Sequence, residues 1–142
     1  MAGVKWSQGQ QPTMCIVRVG IDLTAVGDVA QSLERFGDRY ARTVYTDTEL
    51  ADCAGEPAVR SRGLAARFAA KEATLKALGV TSEKAPGWRQ IEIRRTETGA
   101  PELVLHGLAA ELAGEMGISS WAISLTHEGD MAAAVVIGTA SS

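Results

Sequence analysis

The chain has 142 residues, the size of one typical domain, and its 46% of hydrophobic and 22% of charged residues are typical of soluble globular proteins and exclude disordered and collagen-like classes. Its 14 lysines and arginines against 17 aspartates and glutamates give a formal net charge of -3. The whole molecule therefore has no field that would attract nucleic acid or an anionic membrane, and we expect neither as a partner.

The N-terminus and the cysteines indicate a single cytoplasmic domain. Residues 1–13 are polar and lack the apolar stretch of a secretory signal, and no later run approaches the length of a membrane span. Cys15 and Cys53 form no C-x-x-C motif, and no histidine stands at metal-ligand spacing, so neither a disulfide framework nor a zinc site is indicated. We interpret residues 1–13 as a disordered extension or tag and residues 14–142 as one domain.

The first half of the domain predicts one strand followed by two helices. Residues 15–22 form a short run that is rich in β-branched side chains, which predicts a strand that ends in a carboxylate. A capping box over residues 46–49 predicts a short second helix that stops by residues 55–57. The first helix is marked by apolar residues at helical spacing, with a glycine near its end: Val26, Val29, Ala30, Leu33, Phe36 and Gly37.

The second half predicts a long helix and then two hairpins. Residues 60–78 are rich in strong helix formers, and Gly79 is placed to end the helix. Because hairpins force antiparallel pairing and no βαβ alternation is present, the fold class is α+β, an antiparallel sheet with helices packed on one face. The hairpins lie on either side of a short helix: residues 91–93 with 103–105 around Gly99, the helix over residues 108–116, and residues 121–126 with 131–137.

The long helix has two faces of different character on a helical wheel. Its large apolar residues form one stripe, which we expect to face the core: Leu64, Phe68, Leu75 and Leu78. A neighbouring face surrounds one acid and one base with small residues, a pattern that favours a wall of a site: Ala65, Ala69, Glu72, Ala73 and Lys76. The alternative is that Glu72 and Lys76 are an ordinary i,i+4 ion pair worth about 0.2–0.5 kcal/mol.

The same helix concentrates positive charge in a chain that is acidic overall. A patch of this kind would bind a polyanion, and the alternative is a solvated helix face. Lys71 lies on the apolar stripe, so its ammonium group must either snorkel to solvent or meet a partner. The basic residues are Arg60, Arg62, Arg67, Lys71 and Lys76.

Polar side chains on other elements can complete a site. Asp22 ends an apolar strand after Gly20, where another backbone or a ligand can approach closely, although such an Asp is more often a turn former or helix cap. Asp22 and Glu72 together suit magnesium bridged to substrate phosphates, because this ion takes one or two carboxylates plus phosphate oxygens. Residues 124–127 can meet a ligand at the sheet edge, although His127 alone is more often a turn histidine with no task.

Three segments of the chain, taken in order, carry a resemblance to a known family. They are Val19-Gly20-Ile21-Asp22-Leu23, then Arg67-Phe68-Ala69-Ala70-Lys71-Glu72-Ala73 with Lys76-Ala77-Leu78-Gly79, then Ser124-Leu125-Thr126-His127. Together they resemble the holo-acyl-carrier-protein synthase family of 4'-phosphopantetheinyl transferases. The agreement, including residues 88–93 and 99–101, runs from about Ile16 to Ile137. The resemblance implies the 4'-phosphopantetheinyl transferase fold.

The resemblance also implies a reaction, in which a serine of an apo acyl carrier protein attacks the β-phosphate of coenzyme A. The serine gains 4'-phosphopantetheine, and 3',5'-ADP leaves. Asp22 and Glu72 would hold Mg2+ on the pyrophosphate, Glu72 would be the base for the serine hydroxyl, directly or through a metal-bound water, and Lys76 would neutralise charge on the phosphates. The implied contacts to the coenzyme A phosphates are Arg67 and His127, with Ser124 and Thr126 beside them.

The same resemblance implies a homotrimer, because the small bacterial members of the family are trimers with clefts between subunits, and this chain carries one copy of each motif. One departure is Asp28, which stands where many members carry a basic residue that pairs with an acid of the carrier. The choice of carrier therefore stays open. The sequence also does not reveal whether the carrier belongs to fatty-acid or polyketide synthesis, or whether acylated coenzyme A is accepted. The alternatives are a coenzyme A-binding trimeric module that transfers slowly and a purely structural α+β oligomer.

Overall fold

The computed structural model describes residues 15–141, and the extension predicted over residues 1–13 lies outside them. Among the described residues, no helix is both long and apolar enough to cross a membrane. The α+β class and the antiparallel pairing are confirmed. The elements are β1 (Cys15–Ala25), α1 (Val26–Phe36), α2 (Asp38–Val44), α3 (Asp47–Asp52), α4 (Pro57–Leu78), β2 (Ile91–Arg95), β3 (Pro101–Leu105), α5 (Gly107–Glu115), β4 (Ser120–Glu128) and β5 (Met131–Ser141).

The strands form two antiparallel sheets, so the prediction of a single sheet is wrong. β1, β5 and β4 form a three-stranded sheet in that order, while β2 and β3 pair only with each other among the described residues. The physical reason is that a hairpin's turn and alternating pattern specify its internal pairing but not the sheet edge that it joins. The two-stranded sheet lies beside α4, and its strand β3 approaches β4 without joining it.

The helical segments agree with the predictions except in one place. Thr46 and Glu49 form the capping box that starts α3, with Glu49 N–H donating to Thr46 Oγ1 over 3.2 Å. α4 begins three residues earlier than predicted, at Pro57, and ends at Gly79, which has φ 67°. The helix α2 was not predicted, because Gly37 indicated an end. In the structure Gly37, with φ 57°, joins two helices instead.

α4 packs directly on β1 and β5 through small residues. A Cβ atom on Gly20 would lie 1.7 Å from the carbonyl oxygen of Ala73, so only glycine lets this strand and helix approach so closely. Ala65, Ala69 and Ala73 are fully buried in this contact region. The prediction that the alanine face is a wall of a site is therefore wrong for the alanines, whose small size serves helix-to-sheet packing.

Lys71 has a buried partner, so the second of the two alternatives that the sequence left open, a partner instead of snorkelling to solvent, is the one observed. Its Nζ donates to Glu49 Oε1 over 2.8 Å, to the Trp88 carbonyl oxygen over 2.9 Å and to the Ile91 carbonyl oxygen. Glu49 Oε2 also accepts from the Ile93 N–H over 3.1 Å. Burial lowers the pKa of Lys71, and the Glu49 carboxylate opposes that shift. This network ties α3, α4 and β2 together.

One face of the three-stranded sheet is apolar, and none of the residues that the structure describes covers it. Side chains alternate along β1, so that one set faces α4 and the other points away. The outward set on β1 is 61–64% exposed: Val17, Val19, Ile21 and Leu23. Their register partners on β5 extend this outer face: Thr139, Ile137, Val135 and Ala133. An exposed apolar surface of this extent marks an interaction site.

Candidate active site

A pair of carboxylates lies where β1 passes α4. Asp22 and Glu72 approach each other from these two elements. The Oδ2 atom of Asp22 is buried and accepts no hydrogen bond from any residue that the structure describes. Lys76 donates from Nζ to Asp22 Oδ1 over 3.0 Å and to the carbonyl oxygen of Ile21 over 2.9 Å. The structure thus brings the three predicted catalytic residues together.

The proximity of the two carboxylates changes the acidity of Glu72. Burial and the adjacent Asp22 carboxylate raise the pKa of Glu72 to about 7, while the Lys76 ammonium lowers it. A carboxyl group with this pKa exchanges a proton close to neutral pH, which suits a general base. The site therefore holds one carboxylate that accepts a proton and a neighbour that stabilises the proton once it is bound.

The donor set around Asp22 and Glu72 fits magnesium. It consists of carboxylate oxygens, and no cluster of three or more acidic, histidine or cysteine residues that could hold a metal occurs between residues 15 and 141. Magnesium is typically bound by one or two carboxylates together with water and phosphate oxygens. The buried Oδ2 atom of Asp22, which has no hydrogen-bond partner in the described part of the chain, is the atom that a cation at this position would satisfy.

A cavity of about 350 Å³ opens beside Glu72, between β1, α1 and α2. Its walls are partly apolar, from Phe68, and partly polar, from Ser32 and Tyr40. Asp28 also lines it and is exposed. A second molecule can therefore bring a nucleophilic group to Glu72 along this cavity, and Asp28 is one of the residues it would pass.

Arginines surround two further cavities beside β4, which we call the arginine cavities. The larger one, of about 360 Å³, is lined by Arg62, Arg95 and Asp52 together with the predicted residues Thr126 and His127. The smaller one, of about 280 Å³, is lined by Arg95 with the predicted residues Arg67 and Ser124. These four predicted residues are thus distributed over two neighbouring cavities that can bind anions.

Arg67 is held rigidly inside the protein. Its Nε donates to the Ile93 carbonyl oxygen over 3.2 Å, one terminal nitrogen donates to the Gly63 carbonyl oxygen over 3.3 Å, and the other lies 4.0 Å from Asp52 Oδ2. Arg67 and Lys71 are both buried, so the prediction of one exposed basic patch is wrong for these two residues. The alternative interpretation, an ordinary ion pair between Glu72 and Lys76, is also wrong, because Lys76 forms its ion pair within the described chain with Asp22.

A single chain does not bring the carboxylates and the arginine cavities together. Asp22 on β1 and Leu125 on β4 both pair with Ala134 of the strand between them, so they stand on opposite edges, roughly 10 Å apart. Glu72 and Arg67 are five residues apart on α4, about 140° around its axis, and so point to opposite sides. Arg95 and Asp52 were not predicted as site residues, and their only signal in the sequence is their closeness to the predicted hairpin and to the end of α3.

Both the sequence and the fold of the chain are similar to those of known proteins. The pattern of the 4'-phosphopantetheinyl transferase superfamily, ACPS, matches residues 18–136. The holo-[acyl-carrier-protein] synthase of Herpetosiphon aurantiacus is 42% identical over 125 residues, which is 84% of this chain and 95% of that protein. The ACPS-CoA complex of Chronobacterium ammoniagenes is similar in structure, with a TM-score of 0.74 and 28% identity over 87% of this chain and 96% of that chain.

A further solved structure is similar over most of its length. The holo-(acyl-carrier-protein) synthase from Bacillus anthracis, in complex with CoA (3',5'-ADP), has a TM-score of 0.70 and 26% identity over 90% of this chain and 100% of that chain. The matched part of the sequence includes all three segments that carry the resemblance. The chain belongs to the holo-acyl-carrier-protein synthase family of 4'-phosphopantetheinyl transferases.

Proposed function

We propose that the protein transfers 4'-phosphopantetheine from coenzyme A to a serine of an apo acyl carrier protein, in a magnesium-dependent reaction that releases 3',5'-ADP. The observation that carries this proposal is the carboxylate pair Asp22–Glu72, with one buried oxygen lacking a partner, beside an open cavity. Relatives named as holo-[acyl-carrier-protein] synthases and structures of relatives with coenzyme A support the two substrates.

Each residue of the carboxylate side has a distinct role in this reaction. Glu72 accepts the proton of the carrier serine as a general base. Asp22 and Glu72 together hold the magnesium ion, which when bound supplies positive charge to the pyrophosphate oxygens. Lys76, whose side chain is 57% exposed, can move from Asp22 to the phosphates and neutralise charge as the bond to 3',5'-ADP breaks.

The arginine cavities are proposed to bind the rest of coenzyme A. Arg67 and His127 contact its phosphates, and Ser124 and Thr126 add polar contacts at the edge of β4. Because one chain holds these cavities and the carboxylates on opposite edges of its sheet, we propose that a ligand meets the carboxylates of one subunit and the arginine cavities of another.

The apolar outer face of the three-stranded sheet supports a homotrimer as the assembly that forms these composite sites. Its valines, isoleucine and leucine on β1 are more than 60% exposed in the single chain. Burying each such side chain against another subunit stabilises the assembly by about 1.5–3 kcal/mol. β1 is also an edge strand of this sheet, and Asp22 lies on it with its side chain on the α4 face, so a neighbouring subunit meets the carboxylates where it extends past this edge.

Mass spectrometry of the carrier tests the proposed transfer. The full chain is incubated with coenzyme A, magnesium and a panel of apo acyl carrier proteins, and each carrier is examined for added phosphopantetheine and each reaction for 3',5'-ADP. Transfer should stop on chelation, and Glu72→Gln should lower turnover at least about 10²-fold. A protein that binds coenzyme A but modifies no carrier would be a binding module, and the proposed activity would be wrong.

A further inference from the structure

Arg95 occupies a position that no other arginine of the described chain shares. It lines both arginine cavities, the one that contains Arg67 and the one that contains His127. Its side chain is exposed, and its guanidinium group forms no ion pair within residues 15–141. Arg67, in contrast, is buried and committed to two backbone carbonyl groups. Arg95 is therefore the cation that can reach an anionic ligand in either cavity.

The backbone of Arg95 is fixed although its side chain is free. Its N–H donates to Asp52 Oδ2 over 2.8 Å, and the same oxygen faces Arg67 at 4.0 Å. Arg95 is also the last residue of β2 and pairs with Pro101 of β3. Asp52 is thus a positioning residue that holds the end of the hairpin against α4, so the Arg95 side chain starts from a defined point above both cavities.

The ligand that this position suits follows from the charges of coenzyme A. Under the proposed function, the pyrophosphate lies at the carboxylates Asp22 and Glu72 of a neighbouring subunit. The remaining anionic group of coenzyme A is the phosphate on its ribose. The charged groups that line the two cavities are arginines, one acid and His127. The net charge around a phosphate bound there is therefore positive.

We propose that Arg95 binds the ribose phosphate of coenzyme A and makes the enzyme discriminate between coenzyme A and 3'-dephospho-coenzyme A. The inference rests on the proposed function for the identity of the ligand. The Arg95 guanidinium donates to the phosphate oxygens, while Arg67, fixed by α4 and β2, forms the floor beneath them. A contact between a charged donor and a phosphate corresponds to about 10- to 100-fold in affinity.

The test compares two nucleotides and two neighbouring arginines. Calorimetry with magnesium measures the binding of coenzyme A and of 3'-dephospho-coenzyme A to the full chain and to Arg95→Ala, Arg95→Lys and Arg94→Ala. Arg94 is the matched control, because it is the preceding residue of the same strand, pairs with Glu92 over 2.6 Å and lines neither cavity. Kinetics with an apo carrier then separate KM from kcat.

Arg95→Ala should weaken coenzyme A binding at least about tenfold, leave 3'-dephospho-coenzyme A binding unchanged, and raise KM with little change in kcat. Arg95→Lys should recover part of the discrimination, and Arg94→Ala should retain all of it. If Arg95→Ala keeps the preference of the wild type for coenzyme A, or loses affinity for both nucleotides equally, the inference is wrong while wild-type transfer still supports the proposed function. If the wild type binds neither nucleotide, both are wrong.

Discussion

The Nζ atom of Lys76 on α4 donates to Asp22 Oδ1 on β1 over 3.0 Å. Among the described residues, Lys76 forms no ion pair with Glu72, its neighbour on the same helix. In this ion pair, the partly exposed ammonium group binds one of the two carboxylates of the site. When phosphates arrive, the same ammonium group has a second anion within its reach. Under the proposed function, Lys76 would bind Asp22 before the substrates arrive and would then neutralise the charge that develops during phosphoryl transfer.

The first prediction concerns this lysine. Lys76→Ala should lower kcat about 10²- to 10³-fold, the range seen when one stabilising donor of a transition state is removed. Its effect on the KM for coenzyme A should be smaller. The control is Lys84→Ala, which removes an exposed lysine from a short 3₁₀ turn. A variant that changes KM alone would show that Lys76 binds substrate without acting in the chemical step.

The second prediction links the pKa of Glu72 to stability. The pKa of this carboxyl group is about 7 in the folded protein, above its ordinary value of 4.5. Between these two values the folded state binds more protons than the unfolded state, so stability falls as pH rises through this window. Glu72→Gln removes the penalty, and should raise Tm in chelator at pH 8 but much less at pH 4.5.

Thermal unfolding of wild type and Glu72→Gln at both pH values measures this difference, with the exposed Glu111→Gln as the control. Magnesium should stabilise the wild type at pH 8, because the cation offsets the repulsion between the two carboxylates. An equal shift of Tm at both pH values would mean that the substitution acts through packing instead of through the charge of Glu72.

The third prediction tests the composite site by mixing inactive subunits. Asp22→Ala removes a residue of the carboxylate side, and His127→Ala removes one of the arginine cavities. Mixed assemblies of these two variants should recover activity, because some sites then take Asp22 from one chain and His127 from another.

The control pair for this experiment is Asp22→Ala with Glu72→Gln. Both residues belong to the carboxylate side of one chain, so no mixture can restore a site that needs both from the same subunit. Recovery in the control pair, or no recovery in the first pair despite proven mixed assemblies, would contradict the proposed division between subunits.

The fourth prediction concerns the choice of carrier. Asp28 is exposed and lines the cavity beside Glu72, where its charge would repel an acidic carrier. Asp28→Arg should speed transfer to strongly acidic carriers, mainly through the association rate and most visibly at low salt. Glu34→Arg is the control, because Glu34 is exposed on the same helix but does not line that cavity. Equal gains from both variants would indicate a general effect of net charge.

Local sequence signals predicted every α-helix of the described chain except α2, together with both hairpins and the three residues of the carboxylate side. Spacing over a few residues determines a capping box such as that of Thr46 and Glu49, and the same holds for the glycine that ends α4. Asp22, Glu72 and Lys76 could be grouped because they lie in recognisable segments of a known family. None of these predictions required knowledge of contacts between residues that are far apart in sequence.

Tertiary structure alone decided which charges are available. On a helical wheel, Lys71 and Arg67 belong to one basic surface. In the structure, Glu49 accepts a hydrogen bond from Lys71, and carbonyl groups of β2 accept hydrogen bonds from both residues, although these partners are far away in sequence. Burial of a charge depends on such partners, which helical periodicity does not encode. The close approach of Gly20 and Ala73, the two edges of the sheet and the position of Arg95 likewise arise from packing between segments far apart in sequence.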